Sequence, residues 1–295
     1  METAQTTFRE QAEKFLFDTA SEARPNTLAS YRSILNARVI PFLGEESLAN
    51  IDSATAKSLK DRLIEGGLSP ATVNLAVGLM KKVVASATDS RGNRLYTPKW
   101  NNDFIKLPRV NPRLQKAPVT PLQTLQGAIT ATNGQVKALV ALLAGTGLRI
   151  GEALAIGIPG GNVWDPEAGT ITVQATWARG QIQPHPKTEA GNRIVDLHPD
   201  LNAFLRSQFA NRESRMFTSS IRTYGRILSK LGVPGFHSMR RFRITHQQMQ
   251  NVPITIMKYG AGHAASDITE RYTKVGSEIV ARREWADKAG LGFQL

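Results

Sequence analysis

The first hundred residues alternate between segments with apolar side chains at helical spacing and short polar breaks. Four such segments predict helices over about residues 5–20, 26–43, 53–65 and 70–88. The last two begin at Asp52-Ser53 and at Ser69-Pro70, which are residue types that favour helix starts. We therefore predict an N-terminal four-helix domain.

The pattern changes in the second half of the chain. Residues of about 119–156 are predicted to be helical, with a break at Gly145-Thr146-Gly147. The segments 169–177 and 192–197 are rich in β-branched residues and alternate in polarity, which predicts strands, and helices resume after Pro199. The predicted fold class is mainly α, with a helical N-terminal domain followed by a mostly helical C-terminal domain that contains a small inserted antiparallel β-sheet.

A basic, proline-rich segment separates these two regions. Residues 107–118 contain three prolines, which stiffen a linker, together with Arg109, Arg113 and Lys116. We predict an N-terminal domain over 1–106, an interdomain linker over 107–118 that crosses a nucleic-acid backbone, and a C-terminal domain over 119–295. A loop within a single domain is the alternative.

Charge indicates a polyanionic partner. The chain of 295 residues has a formal net charge of +13. Residues 206–243 alone hold nine Lys and Arg against the single acid Glu213, a concentration that suits a phosphate backbone. We assign Arg241 and Arg243 in this block to DNA binding, with Arg109, Arg113 and Lys116 of the linker.

Composition also excludes several classes of protein. No apolar run reaches the roughly 20 residues of a membrane span, and the N-terminus lacks the plan of a signal peptide. Cysteine is absent, so neither a disulfide nor a thiolate metal site can form. We expect a cytoplasmic protein without a membrane partner.

Three residues in the middle of the chain are candidates for phosphate chemistry. Arg149 lies between two predicted helices, where a guanidinium could grip a phosphate with two parallel hydrogen bonds. Glu152, about one helical turn later, could orient Arg149 or a nearby imidazole. Lys187 lies between the predicted strands, where an ammonium could protonate a leaving oxygen. Taken alone, Arg149 with Glu152 fits an ordinary surface ion pair better, and Lys187 fits an ordinary surface lysine better; only the surrounding pattern favours phosphate chemistry.

The last third of the chain adds two imidazoles, a guanidinium and a phenol. His237 and Arg240 are three residues apart and would share one face of a helix. His263 follows a glycine-rich stretch, and Tyr272 lies nine residues later among polar neighbours. The spacing from His237 to His246 to His263 does not suit a metal site, so we expect neither a metal nor another cofactor.

Taken together, these residues resemble the signature of the tyrosine recombinases, or phage integrases. The matching positions are Thr146-Gly147-Leu148-Arg149 with Glu152, Lys187, His237 with Arg240, Gly262-His263, and Tyr272. Two details depart from the family pattern, because Arg241 replaces the usual histidine and Ala261 replaces the usual leucine. The chain resembles the shorter members, which have two domains and no arm-binding domain. The resemblance implies that residues 1–106 form a SAM-like core DNA-binding domain and that residues 119–295 form the catalytic domain.

The resemblance implies a mechanism. Tyr272 would attack the scissile phosphate of double-stranded DNA to form a 3′-phosphotyrosyl link, and Arg149 and Arg240 would stabilise the transition state. Lys187 would protonate the 5′ oxygen, and His237 would assist proton transfer at Tyr272. His263 would bond a non-bridging oxygen.

The family relationship also implies a homotetramer on DNA, because strand exchange between two duplexes through a Holliday junction needs four active sites. The sequence leaves open the DNA target, the recombination outcome and the participation of accessory directionality proteins. It also leaves open whether the predicted C-terminal helix docks on its own protomer or on a neighbour.

The sequence is also compatible with two other functions. A type IB topoisomerase resembles this catalytic set but rejoins the same strand. A non-catalytic DNA-binding protein would use the basic face alone. RNA binding is disfavoured, since no aromatic-rich sheet motif is present.

Overall fold

A computed structural model describes residues 6–111, 118–184, 191–209, 215–263 and 275–295. The chain divides into two compact units, Met1–Gln115 and Lys116–Leu295. The division falls inside the segment 107–118 that we interpreted as a linker, but Arg113 and Lys116 lie outside the described residues. The contact of this segment with DNA stays a prediction.

The first unit is helical. Its helices are α1 (Phe8–Thr19), α2 (Pro25–Ile34), α3 (Ile40–Leu43), α4 (Ser53–Glu65), α5 (Pro70–Ala85) and α6 (Asn102–Ile105), with a short 3₁₀ turn at Leu48–Asn50. The starts follow the expected capping chemistry, because the side chain of Asp52 accepts hydrogen bonds from the backbone N–H groups of Ala54 and Thr55 at 2.8 and 3.0 Å. The four predicted helices correspond to α1, α2 with α3, α4, and α5.

The predicted helix over 26–43 is not continuous. A π-helical turn at Leu35–Val39 joins α2 to α3. Pro41 explains the wider turn, since a proline inside an α-helix would clash with the carbonyl four residues earlier. Leu35 and Val39 in this turn are fully buried in the core of the first unit.

The second unit is also mostly helical. Its helices are α7 (Leu122–Thr130), α8 (Gly134–Thr146), α9 (Ile150–Leu154), α10 (Pro199–Phe209), α11 (Ile221–Lys230), α12 (Phe236–Met249), α13 (Ile254–Ala261) and α14 (Ile279–Lys288), with a 3₁₀ turn at Val275–Ser277. Helix α8 forms the centre of the core, because every residue from Ala138 to Thr146 is buried. The mainly α fold class is confirmed. Within the described ranges, no helix is both long and apolar enough to span a bilayer.

The strands of this unit are β1 (Val163–Asp165), β2 (Thr170–Val173), β3 (Ala175–Ala178), β4 (Gln181–Pro184) and β5 (Arg193–Asp196). Strands β1, β2 and β5 form one antiparallel sheet in that order, and β3 and β4 form a separate hairpin. The hairpin turn is Arg179-Gly180, with φ of 52° and 82°.

The small inserted antiparallel sheet is confirmed, but the predicted strand over 169–177 divides into β2 and β3, which pair with different strands. The break comes at Gln174, because the side-chain oxygen of Asn162 accepts the backbone N–H groups of Gln174 and Ala175, both at 2.8 Å. These bonds take the place of ladder bonds and separate β2 from β3.

Candidate active site

Arg149 stands at the junction between α8 and α9. Gly147 ends α8 in the left-handed conformation, with φ of 73°, a geometry that glycine adopts without strain. Arg149 then takes the cap position of α9. Its backbone N–H donates to Glu152 Oε2 at 2.9 Å, and its Nη1 donates to Glu152 Oε1 at 2.8 Å. The guanidinium remains 39% exposed and can reach a ligand.

Glu152 binds a second arginine that the sequence analysis did not single out. Arg193, the first residue of β5, donates from Nη2 to Glu152 Oε2 at 2.9 Å and from Nη1 to Oε1 at 3.3 Å. The side chains of Arg193 and Glu152 are buried, at 0% and 3% exposure. Alternation along β5 was a signal for this position, since Arg193 lies on the same buried face as Val195.

The carboxyl of Glu152 is ionised in this arrangement. Burial raises the pKa of Glu152, but the hydrogen bonds and positive charge of Arg193, with hydrogen bonds from Arg149, outweigh that effect and hold the pKa below its ordinary value. Glu152 therefore acts as a buried anion between two cations, as we expected for its pairing with Arg149.

Arg240 enters the site from α12. Its side chain is buried, its Nη1 donates to the carbonyl of Gly147 at 2.7 Å, and its Nη2 donates to the carbonyl of Ala261. Burial, together with the charge of Arg149, lowers the pKa of Arg240 to about 10. The guanidinium still carries its charge at neutral pH.

Three arginines meet at the carboxyl end of α13. The carbonyl of Gly260 accepts from Arg193 Nε at 2.8 Å, that of Ala261 accepts from Arg240, and that of Gly262 accepts from Arg149 Nη2 at 3.2 Å. The last carbonyls of a helix lack intrahelical partners and carry partial negative charge, so they suit guanidinium donors. We call these three bonds the carbonyl clamp. The clamp fixes the backbone immediately before His263.

The two histidines lie in the field of these cations. Partial burial, followed by the positive charges of Arg240, Arg241 and Arg149, lowers the pKa of His237 below 6.5. Partial burial and the charges of Arg240, Arg149 and Arg193 do the same for His263. Both imidazoles are therefore mostly neutral at pH 7, and each can accept a proton or a hydrogen bond.

The electrostatics of the site favour an anion. Glu152 balances only one of the three guanidiniums of Arg149, Arg193 and Arg240, so these four groups leave two positive charges uncompensated. Arg149 has guanidinium N–H groups beyond the two that are bonded. An oxyanion with several acceptor oxygens, such as a phosphodiester, matches this arrangement.

The structure brings Arg149, Glu152, His237, Arg240 and His263 together in the second unit. Lys187 and Tyr272 lie outside the described residues, so their roles stay predictions.

The residues proposed for DNA binding differ in their surroundings. Arg109 is exposed, and Arg241 is half-buried with Nη1 donating to the carbonyl of Pro118 at 3.1 Å. Arg243 is 96% buried by its own domain, where Nη1 donates to the carbonyl of Gly290 at 2.5 Å and burial lowers its pKa to about 10. Because this side chain is enclosed by its own domain, we withdraw Arg243 from the DNA-binding set. A basic residue in a helix cannot be placed on the outer or inner face from charge alone.

The start of the second unit is fastened to α12. Thr120 is fully buried, its hydroxyl hydrogen-bonds that of Ser238 at 2.5 Å, and its backbone N–H donates to the carbonyl of Ser238 at 3.3 Å. Arg241 adds the bond to Pro118 described above. The helix that carries His237 and Arg240 therefore holds the chain where it enters the unit.

The C-terminal segment docks on its own unit. Arg282 of α14 forms a buried ion pair with Asp196, with Nε 2.8 Å from Oδ2. Farther along, the carbonyl of Ala289 lies 2.8 Å from His246 Nε2, and Leu291 joins the main core. Exchange of this segment with a neighbouring protomer stays an open question.

Comparisons with known proteins show which families and solved structures this chain resembles. Residues 7–63 match the family described as phage integrase, N-terminal SAM-like domain. A fragment of the Tn1549 transposon integrase, solved in complex with circular intermediate DNA, has the same fold at 19% identity, with a TM-score of 0.65, covering 95% of this chain and 100% of that one. The resemblance to the phage integrases is confirmed.

A second solved structure and a curated protein sequence are also similar to this chain. A lambda integrase tetramer bound to a Holliday junction aligns with a TM-score of 0.63 at 16% identity, covering 89% of this chain and 79% of that one. The putative defective protein IntQ of Escherichia coli (strain K12) is 28% identical over 221 residues, which are 68% of this chain. The alignment spans 52%, about half, of the length of that curated relative.

Proposed function

We propose that this integrase-like chain is a site-specific DNA recombinase that cuts and rejoins strands through a 3′-phosphotyrosyl intermediate. The observation that carries the proposal is the meeting of Arg149, Arg240, His237 and His263 in one electropositive site, in the chemical types and order of the family signature. Arg149 and Arg240 bond neighbouring carbonyls of one helix end, so a phosphate bound at one guanidinium lies near the other.

The proposed first step is an exchange of one phosphate ester for another. The phenolic oxygen of Tyr272 attacks phosphorus while the bond from phosphorus to the 5′ oxygen breaks. The phenol proton passes to the neutral imidazole of His237, and Lys187 gives a proton to the departing oxygen. The number of phosphoester bonds does not change, so no nucleotide hydrolysis is needed. The 5′-hydroxyl of a second cut strand then attacks the phosphotyrosine and releases the enzyme.

The arginines supply electrostatic stabilisation. Charge accumulates on the non-bridging oxygens in the transition state, where Arg149 and Arg240 would donate and His263 would add a further hydrogen bond. Loss of one preorganised donor of this kind costs about 2.7–4 kcal/mol, or roughly 10²–10³ in rate. Because Arg240 is buried and already oriented by two carbonyls, its donors need little reorganisation when the phosphate arrives.

The proposed assembly is a homotetramer on double-stranded DNA. Exchange of strands between two duplexes through a Holliday junction requires four cleavages, hence four sites. The lambda integrase structure with the same fold is a tetramer on a Holliday junction. A DNA-associated, cytoplasmic location is part of this proposal. Accessory directionality proteins stay an open possibility from the sequence.

Trapping of the covalent complex tests the nucleophile. On a nicked substrate that loses its 5′ fragment after cleavage, the wild-type protein accumulates a protein–DNA adduct that resists denaturation. The Tyr272→Phe variant binds the same DNA and forms no adduct. An adduct of undiminished yield from Tyr272→Phe excludes Tyr272 as the nucleophile.

A sulfur substitution tests the general acid. A 5′-bridging sulfur is a better leaving group than oxygen and needs no proton. Lys187→Ala is therefore slowed by roughly 10²–10⁴ on the oxygen substrate and largely restored on the sulfur substrate. Arg240→Ala is the control, because its defect lies at the non-bridging oxygens. Failure of sulfur to restore Lys187→Ala assigns the acid elsewhere.

Two alternative functions give different results. A type IB topoisomerase relaxes supercoiled DNA that lacks a specific site. A non-catalytic DNA-binding protein shows steep salt dependence with no strand cleavage and no effect of Tyr272→Phe. Exchange of strands between two labelled duplexes distinguishes recombination from both.

A further inference from the structure

We propose that Arg193 is a positioning residue for DNA cleavage, which sets the places of Arg149 and His263 through Glu152 and the carbonyl of Gly260. This inference rests on the proposed function. It assigns a role to a guanidinium that lies within the site yet is closed off from solvent.

The bonds of Arg193 reach two helices and the residues just before its own strand. Its two terminal nitrogens grip the carboxylate of Glu152 on α9, its Nε donates to Gly260 at the end of α13, and Nη1 donates to Gly191 at 3.0 Å just before β5. Glu152 in turn holds the backbone and the guanidinium of Arg149. A single side chain therefore joins the element that carries Arg149 to the helix end that precedes His263.

The packing around Gly262 supports the same role. Gly262 has φ of +63°, and a Cβ at this position would lie 2.7 Å from Arg193 Nη1 and 2.9 Å from Cζ. The backbone of the Gly262-His263 pair thus rests directly against the guanidinium. A displacement of Arg193 therefore shifts both Arg149, through Glu152, and the backbone that precedes His263.

The geometry requires arginine rather than any cation. Bidentate contact with Glu152 and a third bond from Nε use the planar fork of a guanidinium, which an ammonium cannot reproduce. Arg193→Lys keeps the charge and loses the fork. Arg193→Gln removes the charge as well.

Single-turnover cleavage of the full-length protein on the trapping substrate tests the inference. Displacement of reacting groups by about 1 Å can cost about 10²-fold in rate, so we expect Arg193→Lys and Arg193→Gln to slow cleavage by this order. The rate constant refers only to folded, DNA-bound molecules, and the reaction amplitude reports how many there are. A variant that folds poorly loses amplitude and still yields a rate.

Two altered substrates separate positioning from general destabilisation. Replacing a non-bridging oxygen with a neutral methyl group removes charge that Arg149 would stabilise, so the defect of both Arg193 variants should shrink at least tenfold, as should that of Arg149→Ala. A 5′-bridging sulfur should leave the defect unchanged. Arg243→Gln is the matched control: it alters another buried arginine of the same domain without contact to Glu152, and any slowing should be equal on phosphate and methylphosphonate.

Each outcome either supports the positioning role of Arg193 or overturns it. Equal defects of the Arg193 variants on phosphate and methylphosphonate, or a normal rate on phosphate, overturn the positioning role. If a 5′-bridging sulfur restores the cleavage rate of the Arg193 variants, the positioning role is overturned, because Arg193 then acts through Lys187. If the wild-type protein itself forms no adduct on any substrate, the proposed function fails, which is a distinct result.

Discussion

The substitution Glu152→Gln removes one negative charge from the centre of the site with almost no change in shape. The carboxylate accepts from the backbone and side chain of Arg149 and twice from Arg193, while its side chain is only 3% exposed. Glutamine offers one acceptor oxygen, and its amide nitrogen would face guanidinium donors. At least one buried donor therefore loses its partner, and Arg193 loses its counter-charge.

The expected loss is large for a single substitution. Breaking a buried ion pair by neutralising one partner costs about 3–5 kcal/mol, because the remaining charge stays buried. Glu167→Gln is the matched control. Glu167 pairs with Arg206 at the surface, where the glutamate side chain is 82% exposed, and an exposed pair contributes only about 0–1 kcal/mol.

Urea unfolding followed by tryptophan fluorescence measures the difference. Trp164, Trp177 and Trp285 lie in the C-terminal unit and Trp100 lies in the other, so a Trp100→Phe background isolates the relevant transition. The free energy of unfolding should fall by about 3 kcal/mol or more for Glu152→Gln and by under about 1 kcal/mol for Glu167→Gln. Equal effects of the two substitutions would refute the reasoning about the buried charge.

Three further predictions follow from the same geometry. Because the pKa of Glu152 is lower in the folded state than its ordinary value of 4.5, the ionised carboxylate stabilises the fold fully above pH 4.5, and this contribution is lost as the pH falls through the folded pKa. The difference in the free energy of unfolding between wild type and Glu152→Gln should therefore narrow in that acid range. A difference that stays constant with pH contradicts an ionised carboxylate. Gly262→Ala adds a clash with Arg193 to the strain of a positive φ. It should therefore destabilise the fold more than Gly180→Ala, because Gly180 has φ of +82° with open space around it and its substitution should cost only about 1–2 kcal/mol. Similar melting temperatures for the two variants would show that Arg193 does not restrict the residue at position 262. Since the pKa of His237 is lowered in the free protein, the second-order rate constant for cleavage at subsaturating DNA should stay level through pH 7 and fall only below pH 6.5 as the imidazole protonates. A profile of that rate constant with its inflection above 6.5 argues against His237 as the base.

Local sequence signals predicted much of the fold. Helix starts at Asp52 and Ser69 were readable because capping and the first-turn proline act within three or four residues. Breaks caused by distant partners were not readable. Asn162 interrupts the strand at Gln174 through a contact that depends on how β1 is placed beside β2.

The site was predicted unevenly for a related reason. Motif spacing selected Arg149, His237, Arg240 and His263, which the structure brings together. Arg193 escaped attention because its importance comes from bonds to Glu152 and Gly260, which are distant in sequence. Arg243 shows the opposite error, since a cationic side chain in a basic block was buried by the C-terminal segment.

The attachment of Thr120 to Ser238 has a mechanical consequence. Any pull on the polypeptide that leads into Pro118 is passed by short hydrogen bonds to α12, without an intervening slack loop. Arg240 lies two residues beyond Ser238 on the same helix, so a displacement of α12 acts on the backbone that carries its side chain. Tension along the backbone would therefore act, within a single helical turn, on the residue that we propose to bind phosphate.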